Sequence, residues 1–87
     1  MVSNEQILEQ FDKEYDFIYK TEENGSSVAG ADEAMDYFDN AMKNNKKFKE
    51  KISDLSKTRK DMFISDRECS AIVFALDTLG VLDELEK

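Results

Sequence analysis

Histidine, tryptophan and proline are absent from this 87-residue chain, and cysteine occurs once. Without histidine the chain lacks the commonest general base near neutral pH and the commonest metal ligand. A single cysteine cannot form an internal disulfide, and without histidine it cannot build a zinc site. These absences argue against catalysis and metal binding, so we expect neither an enzyme nor a bound cofactor.

Long apolar runs are also missing. No stretch of about 18 apolar residues occurs, so we expect no transmembrane helix. The first residues, MVSNEQILEQF, have neither a basic start nor an apolar core, so we expect no signal peptide. With one cysteine and no export signal, the expected compartment is a reducing cytoplasm, of a cell or of an infected host.

The side chains that could support chemistry lack the partners that such chemistry needs. Cys69 has no histidine to activate it, and its place on an apolar helix face predicts a buried, inert thiol. No glycine-rich phosphate-binding motif is present. In the Asn24-Gly25 turn, an EF-hand register would put Lys20 and Ala31 at ligand positions, which excludes that calcium motif.

The apolar residues recur at helical spacing and predict an all-α fold of about four helices in one domain, residues 1–87. Turn residues predict a loop at 21–31, and the paired asparagines of KNNKK predict a break near residue 45. An alternative is three helices, with one long helix over 32–60. The four predicted helices cover residues 4–20, 32–43, 46–60 and 66–79.

The last of these segments is apolar nearly all round, and we predict that it is the central helix of the fold. Ser65 and Glu68 match a capping box at its start. Ile64 is expected to pack on Cys69 as a hydrophobic staple. Gly80 suits the left-handed residue that ends a helix.

This central helix has two apolar faces. If the other three helices all pack on one of them, the second face is left uncovered. The second face would then require a partner, and a symmetric homodimer would supply one. Its residues are Ala71, Phe74, Ala75 and Thr78.

Charge is distributed unevenly along the chain, whose net charge is −8. Residues 1–42 carry a net charge of about −9 and residues 43–61 about +5. We expect the basic segment 43–60 to lie against the acidic helices of its own chain. The acids fall into two rows on the solvent faces of the first two helices: Glu5, Glu9, Asp12 and Asp16 (the α1 acidic row), and Asp32, Asp36 and Asp39 (the α2 acidic row).

Acids at i, i+4 rise about 6 Å per step along a helix, comparable with the run of phosphates along a nucleic-acid strand. With Phe17 and Phe74 as aromatic anchors outside the main apolar stripes, the rows predict a non-catalytic module that binds a protein with a basic surface. The preferred hypothesis is an inhibitor (of the immunity, antitoxin or phage anti-defence kind) of a nucleic-acid-handling protein such as a nuclease. The alternatives are a self-assembling or regulatory subunit and a nucleic-acid binder that uses the segment 43–60.

Overall fold

Five α-helices and no strand make up the computed structural model, which describes all residues, 1–87. The all-α prediction is confirmed. The alternative of one helix over 32–60 is wrong, because the chain leaves the helical conformation at Asn45 (φ −121°, ψ 103°). The helices are α1 (Asn4–Glu23), α2 (Ala31–Asn44), α3 (Lys46–Thr58), α4 (Asp66–Thr78) and α5 (Val81–Leu85).

The ends of α1 follow from local side-chain chemistry. Ser3 and Gln6 form a complete capping box, in which each side chain accepts from the other residue's backbone N–H. The helix continues past Lys20 to Glu23 and stops at Asn24, just before Gly25 adopts a φ of 83°. The Asn24-Gly25 turn therefore sets the end of α1, and Glu22 and Glu23 belong to the helix.

Asn45 explains the sharp junction between α2 and α3. Its Oδ1 accepts from the backbone N–H of Phe48 at 3.1 Å and so caps the start of α3. Its Nδ2 donates to the backbone oxygen of Leu85 at 3.1 Å. The Asn45 side chain thus begins α3 and bonds α5, while the extended backbone of Asn45 ends α2.

Helix α4 is the centre of the fold, with α1 and α2 packed on it and α5 at its end. Ala71, Ile72, Ala75 and Leu76 have no exposed surface. The short alanines belong to the face for which a homodimer partner was considered, and other helices of the same chain cover them. Of that face only Thr78 is exposed, and Phe74 is half-buried. The premise of the homodimer is therefore not met.

The entry to α4 differs from the sequence prediction. Ser65 Oγ accepts from the Glu68 backbone N–H at 3.3 Å, but Glu68 Oε1 accepts from the Ser65 hydroxyl rather than from its backbone N–H. Only half of the capping box is formed. The predicted staple is wrong, because Ile64 is 79% exposed, while the Phe63 carbonyl oxygen lies 4.0 Å from Cys69 Sγ.

Residues 59–65, the connector between α3 and α4, place Phe63 between α1 and α2. Its ring lies 6.3 Å from that of Phe11 and 5.7 Å from that of Phe38. Phe63 thereby joins two aromatic groups into one continuous chain of neighbouring rings. In order, these rings are Tyr19, Tyr15, Phe11, Phe63, Phe38, Phe48 and Tyr37.

This position of Phe63 requires unusual backbone geometry. Phe63 has a φ of 67° and Asp61 a φ of 63°, the two non-glycine residues of the chain with positive φ. A side chain with a Cβ disfavours that region by about 1–2 kcal/mol. Packing of the Phe63 ring and burial of Met62 offset this strain.

The central role of α4 predicts that Leu76→Ala is strongly destabilising. Leu76 is fully buried, so the loss of its side chain leaves a cavity and should lower the free energy of unfolding by about 2–5 kcal/mol. Urea denaturation followed by circular dichroism measures the change. Asp77→Ala at the exposed neighbouring position is the control and should change stability by about 0.5 kcal/mol or less. Equal stability of Leu76→Ala and wild type would contradict the assignment of α4 as the core.

Candidate protein-binding face

The α2 acidic row carries free negative charge along one side of α2. Asp32, Asp36 and Asp39 are all exposed, and none lies within ion-pair distance of a base. The apolar residues of α2 point the other way, with Ala34, Phe38 and Ala41 buried. The row therefore presents its full charge to solvent.

The α1 acidic row is also exposed, but bases of the same chain neutralise most of it. Glu9 pairs with Lys13 at 3.8 Å, and Asp16 pairs with Lys20 at 2.9 Å. Asp12 forms two hydrogen bonds with the Arg59 guanidinium, at 2.5 and 3.1 Å, which raise the pKa of Arg59. Among its four acids, Glu5 has no ion pair, so the α1 row offers a weaker field than the α2 row.

Negative charge continues from α2 onto the start of α4. Burial raises the pKa of the Cys69 thiol to about 11, and the carboxylates of Asp39, Asp66 and Glu68 add to this shift. Carboxylates of both α2 and α4 therefore act on the same thiol. Asp32 and Asp66 also line the same surface depression, of about 310 Å³. We call the set Asp32, Asp36, Asp39 and Asp66 the acidic face.

Arg67 marks one edge of this depression and is already engaged. Its Nε lies 2.5 Å from Glu22 Oε1, and its Nη2 lies 3.8 Å from Glu23 Oε1. The bond to Glu22 raises the pKa of Arg67, and the guanidinium sits 5.1 Å from the centre of the Tyr19 ring. This base serves to join α1 to α4 and leaves the Asp32–Asp66 side acidic.

The two predicted aromatic anchors have different surroundings. Phe17 is 59% exposed, but by helical period it lies away from the α1 acidic row. Phe74 is half-buried and packs against the core, with its ring beside the backbone of Gly30. Phe17 is available to a partner, whereas Phe74 mainly closes the gap between α4 and the α1–α2 loop.

The basic segment packs against α2 as expected, but its bases form few ion pairs with the acidic helices. Among its eight bases, Arg59 alone forms an ion pair. Lys51 donates to the side chain of Asn4 at 3.1 Å, and Lys47 donates to the backbone oxygen of Lys87 at 2.8 Å. The remaining five are exposed and have no ion pair: Lys43, Lys46, Lys49, Lys57 and Lys60 (the free lysines).

No helix is long and apolar enough to cross a membrane. No group of three or more histidine, cysteine, aspartate or glutamate side chains is arranged to hold a metal ion. Comparison with protein families, curated proteins and solved structures finds no match to this chain. The chemistry of these surfaces is therefore the basis on which a function can be assigned.

Sequence reasoning identified the two acidic rows but missed two features of the site. Asp66 and Glu68 read as cap residues of α4, and nothing local indicates that α2 lies beside them. Ile64 read as a buried staple, because an apolar residue before an N-cap usually packs inward. Its exposure depends on the positive φ of Phe63, for which the sequence has no glycine as a signal.

The raised pKa of Cys69 predicts slow reaction with thiol reagents. At pH 8 a thiol whose pKa is about 11 is almost entirely protonated, and the thiolate is the reactive form. Native protein should react slowly with Ellman's reagent, and protein unfolded in urea should react at the rate of a free cysteine. Similar rates in the two states would show that Cys69 is accessible.

Proposed function

We propose that this protein is a non-catalytic module that binds a basic surface of another protein through its acidic face. The preferred target is a nucleic-acid-handling protein such as a nuclease, whose nucleic-acid groove the module would occupy and block. The observation that carries the proposal is the free α2 acidic row: three exposed carboxylates on one side of α2, none of which forms an ion pair.

The energetics of the row support this proposal over a merely solvated surface. Like charges at i, i+4 destabilise a helix by a few tenths of a kcal/mol per pair, as for Asp32 and Asp36. The chain has five free lysines, and the one that continues this face of α2, Lys43 at i+4 from Asp39, forms no ion pair with it. A uniform field speeds association with an opposite charge and orients the encounter, which mixed signs would not do.

The α1 acidic row and Phe17 are secondary parts of the proposed interface. Asp12, Asp16 and Glu9 have ion pairs that a basic partner would have to displace, although exposed pairs contribute only about 0–1 kcal/mol. Phe17 offers exposed aromatic surface at some distance from either row. Phe74 is largely enclosed and is not part of the proposed contact.

The test neutralises the α2 row without changing its shape. The variant Asp32→Asn, Asp36→Asn and Asp39→Asn should remain folded, because all three side chains are exposed, and should lose most partner binding. Affinity capture from the native host extract, with identification of the captured proteins and assay of their cleavage of nucleic acid, provides the measurement. Wild type should capture a basic protein, inhibit it and release it at high salt.

The matched control removes the same amount of charge elsewhere. Asp77→Asn, Asp83→Asn and Glu84→Gln alter three exposed acids near the C-terminal end of the chain. This control should bind as wild type does if the location of charge matters, and should weaken binding equally if only net charge matters. Unchanged binding and salt dependence in the α2 variant would remove the main support for the proposal.

A second candidate function, nucleic-acid binding, is favoured by the free lysines. Lys46, Lys49 and Lys57 lie on one side of α3 by helical period, together with Ser53 and one acid, Glu50. A row of bases and a hydroxyl suits contacts to phosphates. The net charge of −8 opposes the approach of a polyanion, which makes this function the weaker of the two.

The second candidate makes its own prediction. Because the net charge opposes phosphate, the isolated protein should give no gel shift with DNA or RNA at micromolar concentration and physiological salt. A shift that salt abolishes, and that Lys46→Gln, Lys49→Gln and Lys57→Gln remove, would instead favour nucleic-acid binding.

A further inference from the structure

We infer that the connector between α3 and α4 forms an anchor for the partner, with Ile64 as a knob and the depression beside it as a socket. The partner that fits is a cationic amphipathic segment of a protein. This inference deepens the proposed function, since it identifies where the apolar part of that contact lies.

Ile64 is held out in solvent by a rigid support. Its neighbour Phe63 is fixed between Phe11 and Phe38, and Met62 on the other side is buried. Ser65 is tied to Glu68 by hydrogen bonds in both directions. With the residues on both sides fixed, the exposed side chain loses little backbone freedom when a partner covers it.

The proposed socket is formed in part by the connector that carries Ile64. A depression of about 290 Å³ lies between α1 and the connector, and Ile64 falls in sequence between two of its lining residues, Met62 and Glu68. Phe11, Tyr15 and Met62 give it apolar surface. Arg59, itself a lining residue, lies 6.0 Å from the centre of the Phe11 ring and pairs with Asp12. Arg59 thus shows, within this chain, that a base can lie over an aromatic ring of the socket while it pairs with a carboxylate.

Charge decides the kind of occupant. Within four residues of Ile64 lie three acids without an ion pair, Asp61, Asp66 and Glu68. Two bases lie in the same span: Arg67 is paired with Glu22, and Lys60 is free, so the unpaired groups carry a net negative charge. Asp66 also belongs to the acidic face, so the knob stands at the edge of that face. The partner that matches is an amphipathic helix with leucines on one side and lysines or arginines on the other. Its leucines would contact Ile64 and the apolar lining of the socket, and its bases would lie near the carboxylates.

The test uses two helical peptides of about four turns, one of lysine and leucine in amphipathic order and one in which alanine replaces every leucine. Charge and helix-forming tendency are then similar, and apolar size differs. Wild type should bind the Lys/Leu peptide about tenfold more tightly than the Lys/Ala peptide. Backbone amide shifts on titration should centre on residues 61–68.

The variant Ile64→Ser should remove that preference by weakening the Lys/Leu peptide about tenfold and leaving the Lys/Ala peptide unchanged. Ile64→Leu, which keeps an aliphatic side chain of the same size at this position, is the matched control and should retain the preference. Position 64 is 79% exposed, so both variants should unfold at nearly the wild-type temperature. Equal affinity of wild type for the two peptides, or an unchanged preference in Ile64→Ser, would overturn the inference.

The same peptides separate this inference from the proposed function. The variant with Asn at 32, 36 and 39 should weaken both peptides by a similar factor if the acidic face attracts bases. If that variant binds both as wild type does, the acidic-face proposal fails while the Ile64 result stands. If it weakens both while Ile64→Ser changes nothing, the anchor fails and the acidic face stands.

Discussion

The fold depends on the burial of the middle of one short helix. α4 has only 13 residues, yet α1, α2 and α5 all pack on it. Ala71 and Ala75 make this possible, because their small side chains let another helix approach closely while Ile72 and Leu76 fill the opposite side. Ser70, the one buried polar residue, donates to the backbone oxygen of Ala31 at 2.8 Å and so leaves no unsatisfied hydroxyl at the α4–α2 contact.

A second constraint follows from the first. Helices α1 and α2 pack on α4 rather than extensively on each other, and the space between their aromatic residues is filled by Phe63. The connector reaches that space only with two non-glycine residues at positive φ. The same turn that buries Phe63 directs Ile64 outward, so the most exposed aliphatic side chain within the fold is a consequence of core packing.

The sequence predicted what local chemistry determines and failed where distant residues decide. Ser3, Asn45 and Gly80 act within a few residues of their own positions, and each marks a helix boundary near the expected place. The exposure of Ile64 depends on the space between α1 and α2, which no local pattern encodes. The coverage of Ala71 likewise depends on which side α1 packs, and a helix apolar on both faces leaves that open. The acidic rows were visible from periodicity, but their ion pairs were not, because Arg59 lies 47 residues from Asp12.

The ion pairs change what the charge distribution means. From sequence alone, α1 is the more acidic helix, and the basic segment is its expected counterpart. In the folded chain, Lys13, Lys20 and Arg59 neutralise three acids of the α1 row, whereas the three acids of the α2 row keep their charge. The free lysines lie mainly on α3 and also keep their positive charge.

The molecule therefore has surfaces of opposite sign that do not neutralise each other, on a body whose longest dimension is 36 Å. Since salt at physiological strength screens charge over about 8 Å, a partner close to one surface experiences mainly the field of that surface. In the proposed function, the field that guides a basic partner is therefore that of α2 and the neighbouring start of α4, next to Ile64, rather than that of the molecule as a whole.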